Sequence, residues 1–129
     1  MRRKLLIAVV LGLAGCGRAA TATADALDPD EVVSSLAARS GATFAIRKTF
    51  SGGATGDTLH EAWACRQSLS DCTRLAIVDT DDGPPPTWRE TPAQVELMIA
   101  PTDTVWNFAN FFWGPNKTPQ RVYLIEKHE

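Results

Sequence analysis

The chain is poor in the residues from which catalytic and metal sites are usually assembled. Only two histidines occur in 129 residues, His60 and His128. A helical zinc site of the His-Glu-x-x-His type would need a second histidine at residue 64, which is Ala64. No metal is therefore expected. No Gly-x-Ser-x-Gly elbow is present for a serine nucleophile. The glycine-rich stretch 51–57 lacks the Gly-Lys-Ser/Thr ending of a phosphate loop. The longest apolar run, Leu5 to Ala14, is too short for a membrane-crossing helix, which needs about 20 residues. Basic runs are absent outside Arg2-Arg3-Lys4, which argues against nucleic acid and against electrostatic docking on anionic lipid. No motif asks for a cofactor.

What is present begins at the N-terminus. A basic cluster, Arg2-Arg3-Lys4, precedes the short apolar run, the layout of a secretory signal. The run exits through Leu13-Ala14-Gly15-Cys16, small residues ending in a thiol. This tetrapeptide resembles the lipobox of bacterial lipoproteins, a resemblance confined to about the first sixteen residues. It implies removal of residues 1–15, lipidation of Cys16 with two or three acyl chains, and attachment to a membrane through that lipid. Two chains hold firmly where one does not. Gly17, in place of an aspartate, points by the same resemblance to the outer membrane, facing the periplasm. The competing expectation is an ordinary signal cleaved after Ala20 or Ala22.

Without its leader the chain keeps about 114 residues, room for one small domain, and its net charge becomes −5 because three of the 13 basic residues leave. Cys65 and Cys72 are then the only other thiols. In an oxidising compartment an isolated pair reads first as a disulfide.

Residues 16–27, small and weakly polar, are expected to form a flexible tether, with one α+β domain over 28–129. Asp28-Pro29-Asp30-Glu31 carries the features of a helix start, and Val32, Val33, Leu36 and Ala37 follow at helical spacing up to Gly41. A helix over 29–40 is predicted. Strands are predicted for 43–50, 59–65, 74–80, 95–100 and 121–126, with a hairpin loop at 51–57. The expected fold is α+β, an N-terminal helix packed on a small antiparallel sheet or meander.

Among candidate sites, Asp79, Asp81 and Asp82 suggest calcium, but Gly83 falls one residue early for such a loop and Pro84 takes the glycine position. A strand end and solvated turn accounts for them. Asn116-Lys117-Thr118 spells a glycosylation sequon that a bacterial lipoprotein would not use. The least ordinary feature is Trp106, Phe108, Phe111, Phe112 and Trp113, five of the ten aromatic residues within eight positions. On a regular strand Trp106, Phe108 and Phe112 share one face, and Phe111 and Trp113 the other. So small a domain has few places to bury both, which makes this segment the candidate binding surface. The sequence thus points to a non-catalytic binding, inhibitor or assembly protein of the cell envelope, its partners being the membrane and another envelope protein. Two alternatives stand beside it: an envelope hydrolase using carboxylates such as Glu61 and Asp79, and a structural tether.

Overall fold

The computed structural model describes residues 22–50 and 58–127. Lipidation at Cys16, the leader, the loop 51–57 and His128 lie outside them. The predicted N-terminal helix is overturned: among the described residues 61% are strand, 6% are helical, and no helix reaches seven residues. The start signals do act locally. Asp28 accepts a hydrogen bond from the Asp30 amide at 2.9 Å, and Pro29–Glu31 makes one 3-10 turn. The chain then becomes a strand, β2 (Val32–Ala37), whose exposure alternates residue by residue. Val32 and Leu36, four apart, satisfy a period of two as well as one of 3.6. The β-branched pair Val32-Val33 and a neighbouring strand in register decide for the former.

The first sheet runs in the order β1 (Thr23–Ala26), β5 (Ser70–Asp79), β4 (Thr58–Gln67), β3 (Thr43–Phe50), β2, all antiparallel. Thr23–Ala26, inside the stretch expected to be tether, thus belongs to the sheet. A sixth strand, β8 (Thr104–Trp106), pairs with the other half of the β5 edge, Ile77 facing Trp106 and Asp79 facing Thr104. The second sheet orders β6 (Thr87–Glu90), β7 (Val95–Ile99), β10 (Pro119–Glu126), β9 (Phe111–Trp113). Its β7–β10 pair is parallel, so the predicted all-antiparallel meander is corrected here too. Parallel neighbours need a long crossover, and residues 100–118 supply it.

The two sheets face each other across the main core. Phe44 and Ile46 from β3 meet Trp88, Val95, Leu97, Ile99, Phe112 and Val122. Phe44 is central, its ring centroid 4.9 Å from Trp88 and 6.1 Å from Phe112. Ala62, Ala64 and Ala76 make room for these rings on β4 and β5. The Trp88 indole N–H, which burial would otherwise penalise, donates to the Ala45 carbonyl at 3.0 Å. Each large side chain fully covered in this way contributes roughly 1.5–3 kcal/mol.

The outer face of the first sheet carries a second cluster of Leu27, Ala45, Trp63, Cys65 and Cys72. It is covered by the segment leading from β1 on one edge to β2 on the other, pinned where the Leu27 amide donates to the Leu69 carbonyl at 2.8 Å. Under that cover Cys65 and Cys72, directly opposite on β4 and β5, form a disulfide. The expected pairing is present.

Candidate binding surface

The aromatic segment is the strand that closes one side of the sandwich. It starts on the first sheet as β8 and ends on the second as β9, where Phe111 pairs with Arg121 and Trp113 with Pro119. Between them the Ala109 amide donates to the Leu75 carbonyl at 2.7 Å, and the Val122 amide to the Asn110 carbonyl at 3.0 Å. The segment therefore changes sheets within a few residues.

The change of sheet alters which aromatics share a face. Asn107 has φ of 57°, a left-handed conformation that breaks strand alternation. Trp106 accordingly points outward, while Phe108 and Phe112 pack inward against the core. The predicted grouping of Trp106 with Phe108 and Phe112 is corrected. The outward residues are Trp106, Phe111 and Trp113, which keep 44%, 37% and 54% of their surface exposed.

Trp113 borders a cavity of about 620 Å³ lined also by Arg66, Gly114, Asn116 and Lys117. Trp113 and Arg66 are held by their own contacts, and Asn116 and Lys117 by the backbone of a turn. Phe111 meets Trp113 edge to face at 4.8 Å between centroids. Arg66 stacks its guanidinium 4.9 Å from the Phe112 ring centroid and pairs with Asp71 at 3.2 Å. Asn116 and Lys117 both lie at φ of 57°, fixed in a turn in which the Gly114 amide donates to the Thr118 carbonyl at 2.8 Å. Left-handed residues that are not glycine cost about 1–2 kcal/mol each, and such strain concentrates at functional sites. The site combines a half-exposed indole with two cations and an amide. That chemistry suits an anionic group carried on an apolar or planar body.

Sequence reading found Trp113 and missed the rest of this pocket. Arg66 lies between the paired cysteines with no motif to mark it, and Asn116-Lys117 stood there only as an unused sequon. A lysine beside an asparagine in a Gly-Pro-Asn-Lys turn was the available signal for a shaped loop.

The other candidate residues have partners within the fold. Glu61 is buried on the outer face of the first sheet, and its oxygens accept from Arg47 Nε at 2.9 Å, Trp63 Nε1 at 3.1 Å and Arg74 Nη1 at 3.2 Å. Arg47 also lies over the Trp63 ring at 5.3 Å. A carboxylate so engaged organises its face. Asp79 accepts from the Asp81 amide at 3.0 Å in the turn after β5, where Asp81 and Asp82 are exposed. Among the described residues, no group of three or more His, Cys, Asp or Glu is placed to hold a metal.

His60 is buried in the row Lys48, His60, Val78, Val105 at one end of the sandwich. Burial, and next the Lys48 charge, hold its imidazole below the ordinary value of 6.5, while Asp103 opposes them. On the second sheet Glu96 accepts from Gln94 at 2.7 Å and from Arg89 Nε at 2.8 Å. These hydrogen bonds keep its carboxyl below the usual range.

Compared with protein-family models, curated proteins and solved structures, the chain matches none.

Proposed function

We propose that the chain is a lipid-anchored, non-catalytic binding protein of the bacterial cell envelope. In this reading it is exported, lipidated at Cys16, attached to the outer membrane and turned toward the periplasm, and it holds an acidic segment of a partner protein at the Trp113 cavity. The observation that carries the binding reading is the cavity itself: an exposed indole braced by Phe111, Arg66 stacked on Phe112, and Lys117 carried on a hydrogen-bonded turn. Preorganised aromatic and arginine anchors are what give interfaces their affinity, because little ordering remains to be done on contact. The domain is acidic overall, so Lys117 and Arg66, the latter shared with Asp71, form a local concentration of positive charge beside one exposed indole that suits an acidic group. The anchor reading rests on the basic cluster, the short apolar run and Leu13-Ala14-Gly15-Cys16.

A photo-crosslinking residue placed at 113 in the native envelope tests the surface, with one at exposed Val33 as comparison. The expected result is a discrete adduct from 113 alone, lost when Lys117→Glu is added. Identical adducts from both positions would refute the site. Uptake of labelled fatty acid by the wild-type precursor, abolished in Cys16→Ser, tests the anchor separately.

A further inference from the structure

We infer that Trp106 is a second membrane contact, set in the headgroup layer of the bilayer that carries the lipid anchor. The inference rests on the anchor proposed above and adds an orientation to it.

The geometry comes from the edge of β5, which two segments share. The Ala22 carbonyl accepts from the Arg74 amide at 2.8 Å, and the Ala109 amide donates to the next residue's carbonyl, Leu75, at 2.7 Å. Residues 22 and 109 therefore occupy adjacent stations on one strand. β1 is antiparallel to β5, Thr23 facing Thr73 and Ala26 facing Ser70. Followed backward, the chain at Ala22 is heading toward the Asp79 end of β5. Trp106 stands on that path, opposite Ile77.

Chain length sets the reach. Six Cα–Cα steps join Cys16 to Ala22, at most about 22 Å when fully extended. A lipid on Cys16 thus holds Ala22 within about 22 Å of the bilayer, with Trp106 three strand positions further along the same β5 edge, and the polar headgroup layer is itself several ångströms deep. Trp106, exposed on that edge, is the side chain whose amphipathic ring suits this layer. With an acidic domain and no basic run beyond the leader, attraction to anionic lipid does not drive the contact. A single indole suffices because the tether makes the contact intramolecular, at a high effective concentration.

The same placement leaves the binding cavity free. Its Arg66 lies toward the β4–β5 turn, paired with Asp71, some six strand positions or roughly 20 Å from Ile77 along β5. A domain resting on Trp106 keeps Trp113 turned to the periplasm.

The test uses the full lipidated protein reconstituted in phosphatidylcholine vesicles whose acyl chains are brominated just below the headgroups. Vesicle flotation reads the anchor, and tryptophan quenching reads depth. Wild type and Trp113→Phe should float and be quenched, and Trp106→Phe should float but lose at least half of the quenching. Near-UV circular dichroism of Trp106→Phe checks that the fold is kept. Should that variant be misfolded, wild type against Trp113→Phe still decides, because quenching abolished in Trp113→Phe places the wrong indole in the membrane. Flotation without quenching, or equal quenching in Trp106→Phe, overturns the docking claim alone. Failure of the wild type to float overturns the anchor, and the docking with it.

Discussion

Reducing the Cys65–Cys72 bond should weaken the fold by an amount calculable from chain length. The cysteines are seven residues apart in sequence and face each other on neighbouring strands. In the loop-closure model, cross-linking a loop of that size removes about 8 cal/mol/K of entropy from the unfolded chain, or about 2.4 kcal/mol at 25 °C. Reduction leaves both sulfurs under Leu27 and Trp63, so the folded packing changes little. For a domain of this size a loss of 2.4 kcal/mol lowers Tm by roughly 10–15 °C. The Cys65→Ala/Cys72→Ala double variant should lose about 1–2 kcal/mol more, because it also removes two buried sulfur atoms. Urea unfolding followed by tryptophan fluorescence separates the cases. A reduced protein within about 0.5 kcal/mol of the oxidised one would refute the reasoning: it would mean that the β4–β5 hairpin is already restricted in the unfolded chain. A double variant no less stable than the reduced protein would show that the cluster closes around the missing atoms.

Two further outcomes follow from named residues. Asn107 sits in the left-handed region, so Asn107→Gly should change the free energy of urea unfolding by less than about 0.5 kcal/mol, whereas Asn107→Ala should cost about 1 kcal/mol. Equal effects would remove the conformational account of the turn. The depressed His60 pKa means that, as pH falls, the unfolded chain takes up the proton before the folded one does. The stability due to neutral His60 is therefore complete above about pH 6.5 and is lost as pH falls toward its folded pKa. Glu96, also depressed, has the same sign at lower pH, its contribution being present above the ordinary carboxylate range and lost below it. Thermal unfolding should show a falling Tm between pH 7 and 5 that His60→Leu flattens, while the decline at more acid pH persists; a slope unchanged in that variant would contradict the assignment.

The strands were legible where the pattern admits one period. Thr43 to Phe50, Val95 to Ile99 and the run around Leu75–Val78 alternate or are apolar throughout, and each is a strand. The failure at 29–40 has a physical cause. Spacing by four is common to both periods, and Asp28-Pro29 starts a 3-10 turn as readily as a helix. The cue that decides, pairing of Ser34 with Ile46 and Leu36 with Phe44, is not local. The site divides in the same way. Clustering of aromatics marked the segment 106–113, but their facing depended on Asn107. The pocket is completed by Arg66, from a strand some forty residues earlier, and no local pattern announces it.

Because residues 104–113 are pinned at Ile77 on one side and at Gln120 on the other, the length between the pins is locked. Deleting or adding one residue at 107–110 would rotate everything beyond it by half a pleat. Phe112 would then swap places with its neighbours and core would be exchanged for surface. Substitutions are the tolerable changes in this stretch, and insertions are not. The outward positions of Trp106 and Trp113 must accordingly be inherited together.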